Sequence, residues 1–311
     1  MRFVPGVFAV LAAAAIGVTH AAEPDTIRIG VQKYGTLVIL AEQHTLDQRL
    51  AAEGIKVDWK EFPAGPQLLE AMSVGSIDVG TTGEAPPVFA QAARTPLVYV
   101  GVEPPAPVGE AILVPKDSPI QSVADLKGKR VALNKGANVH FLLVQALAAT
   151  GLGPSDIQSV YLVPADARAA FERGSVDAWA IWDPFLAAAQ AATGARILTD
   201  AKGLAANRQF YLAHRDFAAA HPQLVSEVLD EIAKTDRWAE QHQHDVALLL
   251  APRTGISVPV LDLAVARLSY GVTRLDAAAI DNQQQIADTF FRLGLIPRQV
   301  TVRDIVWSPN S

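Results

Sequence analysis

Short β-branched runs alternate with Ala/Leu-rich runs from residue 26 to residue 213, and the alternation breaks once, at Val102-Glu103-Pro104-Pro105-Ala106-Pro107. Strand-then-helix order of this kind calls for a mostly parallel sheet covered by helices. Before the break, residues 26–31, 55–61, 77–80 and 97–102 read as strands, with helices over 37–52, 67–74 and 86–93. Three prolines in four positions exclude both a helix and a central strand. The break therefore reads as an extended crossing between two domains. After it, strands are expected at 111–115, 130–133, 159–163, 178–181, 195–199 and 209–213, with helices at 123–127, 139–150, 167–173 and 184–192. From residue 216 onward the pattern is helical, with 3.6-residue periodicity over 222–242, 245–251, 259–270 and 277–293. These helices are expected to pack back on the first domain.

An internal echo points to two related domains. Gly75-Ser76-Ile77-Asp78-Val79 recurs as Gly174-Ser175-Val176-Asp177-Ala178, 99 residues on. In both places the motif follows a helix and opens a short strand. Convergent turn chemistry would leave the same trace. The alternative is an α/β fold of two lobes with a cleft between them. The boundaries read as 1–22 for an export signal, 23–103 for the first part of lobe I, 104–212 for lobe II, and 213–311 for the return to lobe I with its C-terminal helices.

Composition narrows the function. The chain is 50% hydrophobic and 19% charged over 311 residues, enough for two domains with cores of their own. A net charge of −6 gives no basic face for nucleic acid. Met1-Arg2, the apolar run 7–18 and the small residues before Glu23 read as a secretory signal cleaved after Ala21 or Ala22. That run is too short to span a bilayer, which needs about 20 residues. The sequence holds no cysteine, so no lipid anchor at the cleavage site, no thiol catalysis and no thiolate metal site is available. The expected product is a free protein of the periplasm.

In open parallel sheets, ligands bind beyond the carboxyl ends of the strands. The candidate loops hold Gln32-Lys33-Tyr34-Gly35, Pro63-Ala64-Gly65-Pro66, Thr81 to Pro86, Asn134 to Asn138, Pro164-Ala165-Asp166 and Trp182-Asp183-Pro184. Thr81-Thr82-Gly83-Glu84-Ala85-Pro86 leads into a helix whose first N–H groups and partial positive charge suit an anion. Gly83 allows close backbone approach. Gly136-Ala137-Asn138 offers a second socket of this kind. Plain helix capping would use the same residues. Trp182, at a strand end, suits an apolar wall for a ligand tail or an ordinary packed tryptophan. Enzyme signals are weak. The seven histidines show no metal-ligand spacing, and no nucleophile elbow, phosphate loop or dinucleotide fingerprint is present. No catalytic residue, metal or cofactor is expected.

At these loops the sequence resembles the aliphatic-sulfonate-binding proteins of ATP-binding-cassette importers, within the nitrate/sulfonate/taurine-binding group. The stretches that carry the resemblance are Glu61-Phe62-Pro63-Ala64-Gly65-Pro66-Gln67-Leu68-Leu69-Glu70-Ala71, Thr82-Gly83-Glu84-Ala85-Pro86-Pro87, Leu113 to Pro119, Asp125-Leu126-Lys127-Gly128-Lys129-Arg130-Val131-Ala132, Ala165 to Phe171, and residues 174–185 and 283–295. The resemblance implies a two-lobed periplasmic-binding-protein fold with two crossings. It implies a monomer without cofactor or turnover, partnered by a membrane permease. It also implies that a sulfonate head lies against Gly83, Glu84 and Ala85 near Asn138, with Gln32, Asp166 and Trp182 lining the rest of the cleft. Ala137 stands where relatives often carry a small polar residue. Taurine, nitrate or a sulfate ester remain open as ligands, as does an enzyme on the same fold.

Overall fold

The strands form two five-stranded sheets, and the two sheets follow one plan. The computed structural model describes residues 24–309. The expected export segment 1–22 lies outside the described residues. The first sheet holds β1 (Thr26–Val31), β2 (Lys56–Glu61), β3 (Val79–Gly83), β4 (Leu97–Val102) and β10 (Gln209–His214), in the order β2-β1-β3-β10-β4. The second holds β5 (Glu110–Val114), β6 (Arg130–Leu133), β7 (Gln158–Tyr161), β8 (Ala178–Trp182) and β9 (Arg196–Asp200), in the order β7-β6-β8-β5-β9. β1 runs parallel to β2 and β3, and β6 runs parallel to β7 and β8. In each sheet the fourth strand is antiparallel to both neighbours, β10 in the first and β5 in the second. That odd strand is the one a crossing delivers. β5 follows residues 103–109, and β10 follows residues 201–208.

The lobe boundary expected after residue 212 is corrected by this pairing. Residues 209–213 register with β3 from Gln209↔Gly83 to Ala213↔Val79, so the chain is back in lobe I before residue 209. Phe210, Tyr211, Leu212 and Ala213 are all buried between β3 and β4. A fully buried strand carries no periodic mark of which sheet it joins.

Lobe I is covered by α1 (Thr36–Gln43), α2 (Thr45–Ala51), α3 (Gly65–Ser73) and α4 (Ala85–Ala92), and lobe II by α5 (Asn138–Ala149), α6 (Pro164–Glu172) and α7 (Phe185–Thr193). Then come α8 (Arg215–Ala220), α9 (Pro222–Gln241), α10 (Gln243–Thr254), α11 (Val258–Val265) and α12 (Ala277–Arg292). As expected, they return to lobe I. α9, α10 and α11 share a core with α1 and β1, while α12 packs with α3 and α4 on the opposite face. The single helix expected over 37–52 is two helices. His44 adopts a left-handed conformation, φ 56°, and its N–H closes the end of α1. Burial changes character there, from Leu37 to Ala41 all buried to Leu46 and Leu50 alone. α11 stops at Val265 rather than near 270. Beyond it the N–H groups of Gly271 and Val272 donate to Asp236 Oδ2, at 3.2 and 2.8 Å, and leave the helix ladder.

The Gly-Ser-x-Asp echo has a structural cause. In lobe I, Asp78 accepts from the backbone N–H and guanidinium of Arg28 on β1, while the same guanidinium donates to Gly75 O. In lobe II, Asp177 accepts from the backbone and guanidinium of Arg130 on β6, which also donates to Gly174 O. Each arginine thus ties the start of a central strand to the turn that launches its neighbour. The Asp78 side chain is 7% exposed and that of Asp177 is 32% exposed. Losing a partner costs most where solvent cannot replace it. Asp78→Asn is therefore expected to cost about 2 kcal/mol of stability. Asp177→Asn should lower the thermal midpoint by clearly less. Scanning calorimetry of the two variants checks the ranking.

Candidate functional site

The carboxyl ends of the parallel strands face a cavity of about 870 Å3, mouth included, between the lobes. Its wall takes Gln32 and Tyr34 after β1, Gly83 at the end of β3, Asn138 at the start of α5 and Trp182 at the end of β8. The two crossings supply Glu103, Ala106 and Asn207, and the segment after α11 supplies Arg267 and Ser269.

A chain of amides joins the lobes at one end of this cavity. Asn138 Oδ1 accepts from the Ala85 N–H at 3.2 Å, and Asn138 Nδ2 donates to Asn207 Oδ1 at 2.8 Å. Asn207 Nδ2 then donates to Ala106 O at 2.8 Å. The start of α4, the start of α5 and both crossings are thereby held in one sequence. Gly83 makes this possible. A Cβ on Gly83 would lie 2.1 Å from the Asn138 side-chain amide, so only glycine admits it. Asn207 sits at φ 51°, a conformation asparagine tolerates better than most residues.

The helix end at Ala85 is poorer in donors than a helix start usually is. Pro86 and Pro87 follow Ala85 and bring no N–H. Thr81 and Thr82 belong to β3 rather than to a loop, and their hydroxyls donate to Phe210 O and Gly83 O. The Ala85 N–H faces the amide oxygen of Asn138, which an incoming anion would have to displace. α5 has no side-chain cap, so its first-turn N–H groups depend on other partners. In the second loop, the Gly136 N–H donates to His140 Nδ1 at 3.2 Å.

The cavity gathers four of the seven expected ligand residues on its wall: Gln32, Gly83, Asn138 and Trp182. Gln32 is braced by its Nε2 donating to Thr81 O at 3.1 Å. Trp182 is half-buried and meets Phe185 edge-on at 6.2 Å. Glu84 and Ala85 are fully buried directly behind Gly83. Asp166 is not brought to this cavity. It is exposed in the first turn of α6, because only Pro164, Ala167, Ala170 and Phe171 of that helix turn inward. Sequence reasoning missed Asn207, Glu103 and Arg267. The first two flank crossings, and the third follows a helix without any motif.

Charge in the wall is largely cancelled. Asp183 Oδ2 lies 3.2 Å from Arg267 Nη1. Burial pushes the Asp183 carboxyl up to about 6 despite the opposing pull of Arg267 and of the Ala187 N–H. Glu103 is pushed by burial to about 9, with Asp236 adding to the rise, and accepts from Tyr211 OH at 2.6 Å. It is therefore neutral at pH 7. Glu84 is pushed by burial to about 7, against the pull of the Arg208 and Asn207 backbone donors. Burial and the neighbouring Glu84 push Glu110, at the start of β5, well above the carboxylate range.

An anion held beside Gly83 favours the protonated form of Glu84, one residue away. Binding then takes up a proton in the window above pH 7, so affinity is full below 7 and weakens as pH rises through it. The limit is about tenfold per pH unit for a fully coupled proton. Glu84→Gln, neutral at every pH, should flatten the profile between pH 6 and 8. Calorimetric titration of an alkanesulfonate at several pH values measures both.

Three kinds of similarity place the chain among known proteins. Residues 50–245 match the family model described as NMT1/THI5 like. The chain is 44% identical over 301 residues to an aliphatic sulfonates-binding protein of Escherichia coli (strain K12), covering 96% of this chain and 94% of that protein. The alkanesulfonate-binding protein SsuA of Xanthomonas axonopodis pv. citri, solved bound to MOPS, superposes with a TM-score of 0.88 at 44% identity, over 92% of this chain and 99% of that one. The periplasmic aliphatic sulphonate binding protein SsuA of Escherichia coli gives a TM-score of 0.83 at 44% identity, over 92% and 93% of the two chains. With a family model spanning well over half its length and relatives this similar end to end, the chain belongs to the NMT1/THI5-like family, in the group that contains the aliphatic sulfonates-binding proteins.

Proposed function

We propose that this protein is the periplasmic solute-binding component of an ATP-binding-cassette importer and captures aliphatic sulfonates without turning them over. The observation that carries the reading is the amide-lined end of the cavity. Gly83, Ala85 and Asn138 bring oriented neutral dipoles from both lobes to one point. A sulfonate is a permanent monoanion with three acceptor oxygens, and neutral N–H donors satisfy it without the desolvation a buried countercharge would cost. The head group replaces the Asn138 oxygen at the Ala85 N–H and gains donors from Asn138 Nδ2 and the start of α5. The tail runs past Trp182, an apolar wall with no fixed hydrogen-bond demand. The MOPS held by the relative carries an alkylsulfonate group, which supports the same class. Among the described residues no helix is long and apolar enough to cross a membrane; a membrane permease is the partner this reading calls for.

Calorimetry of the purified mature protein against alkanesulfonates, taurine, nitrate and sulfate tests the ligand class. The alkanesulfonates should bind tightest, and mass spectrometry should recover them intact. Preference for taurine or nitrate, or conversion of the ligand, would sink the reading. Gly83→Ala should weaken every sulfonate by about 10- to 100-fold, the value of one charge-assisted hydrogen bond. Trp182→Ala should weaken long or aromatic tails and leave methanesulfonate nearly unchanged. N-terminal sequencing of protein from the periplasmic fraction should begin at Ala22 or Glu23.

A further inference from the structure

Beside the amide chain, one arginine of the cavity wall crosses between lobes: a Cβ on Gly109 would lie 3.3 Å from Asn207 Nδ2 and 3.7 Å from Arg267 O. Arg267 follows α11, whose Leu261 and Val265 belong to the lobe I core. Its guanidinium reaches lobe II. Nη1 lies 3.2 Å from Asp183 Oδ2 and 3.4 Å from Asp183 Oδ1, and Nη2 donates to Gln190 Oε1 at 3.1 Å. Asp183 belongs to the turn between β8 and α7, and Gln190 to α7. α7 and α11 pack together, so the ion pair sits on an interlobe face.

The acceptor is prepared for this visitor. The Asp183 side chain is 1% exposed, while that of Arg267 is 22% exposed. The same carboxylate accepts the Ala187 N–H at 3.0 Å, and the Asp183 N–H donates to Gly109 O in the first crossing at 2.9 Å. These bonds fix the carboxylate to lobe II and to the hinge whether or not Arg267 is docked. A buried carboxylate without a counterion is costly. Docking of Arg267 therefore favours the closed arrangement and adds nothing within either lobe. Both partners line the cavity. A molecule held at Gly83 and Asn138 leaves only when the lobes part, and parting them separates this pair.

We infer that Arg267 is a positioning residue for ligand capture, a clasp from lobe I onto Asp183 and Gln190 of lobe II that sets how long a bound molecule is retained. This rests on the solute-binding reading above, and it assigns closure to a different group from head-group recognition. Association is governed by the open form and dissociation by the closed one, so the clasp acts on the off-rate.

The test separates closure from ligand chemistry. The chain lacks cysteine, so Glu53→Cys and Arg173→Cys, one exposed position in each lobe, take spin labels without further changes. Pulsed dipolar spectroscopy then reads the lobe separation without ligand. Arg267→Met and Asp183→Asn should each deplete the short-distance population. The double variant should be no worse than either alone, as expected of one shared contact. Arg267→Lys should restore part of it. Stopped-flow Trp182 fluorescence with hexanesulfonate should show an off-rate raised about tenfold in both single variants with the on-rate nearly unchanged. Unchanged distance distributions in both single variants, or additive effects in the double variant, would overturn the clasp. Loss of hexanesulfonate binding by the unsubstituted protein would overturn only the sulfonate reading, because the distance measurement needs no ligand.

Discussion

The first sheet is not complete until the chain has left its lobe and come back. β10 closes the gap between β3 and β4 only after the chain has traversed lobe II, and β5 enters lobe II directly from lobe I. The two crossings also bond to each other. The Glu103 N–H donates to Gln209 O, the Ala106 N–H to Ala206 O, and the Ala201 N–H to Pro107 O, at 2.8, 3.0 and 3.1 Å. The hinge is thus a short paired ribbon anchored in a sheet at each end.

What faces the ribbon is a set of buried acids. Glu84, Glu103 and Glu110 are each 3% exposed or less. All three are shifted toward the neutral form by burial. A neutral carboxyl at this place has a clear consequence. Carboxylates beside the cavity would repel an anion across a low-dielectric gap, and the upward shift of Glu84, Glu103 and Glu110 lessens that repulsion beside the amides of Asn138 and Asn207. The protein as a whole carries a net charge of −6. In the proposed reading, an anion meets amides and a lowered local negative charge, in a wall that also holds Lys33 and Arg267.

Much of this architecture was legible in the sequence, and for physical reasons. The alternation of strand and helix, the triple-proline break and the Gly-Ser-x-Asp repeat are local signals. The repeat turned out to mark the paired Arg28–Asp78 and Arg130–Asp177 clamps. Gly83 and Asn138 were legible because a glycine before a helix and an asparagine at a helix start are local features too. The limits have the same origin. β10 looks like any buried strand, so the expected boundary placed most of it in lobe II, where the pairing with β3 shows it does not belong. Asp166 shares a loop position with true cavity residues, and only the rotation of α6 turns it outward. Arg267 reaches Asp183 across 84 residues of sequence. No spacing rule links two groups that meet only through the packing of α11 on α7.

Two neighbouring parts of the cavity wall therefore offer different interactions. In the reading proposed above, the neutral dipoles around Asn138 recognise an anion, and their geometry depends on Gly83 leaving room for Asn138. Beside them, an ion pair joins the lobes at an almost fully buried carboxylate. Had the arginine been placed at the recognition end, its attraction would have favoured any small anion and discriminated poorly between head groups. Had the dipoles been placed at the closing end, their weaker bonds would have been exchanged readily for water as the lobes parted. In that reading, with directional neutral donors at the head and Arg267 kept on Asp183, selectivity and retention rest on residues in different segments of the chain.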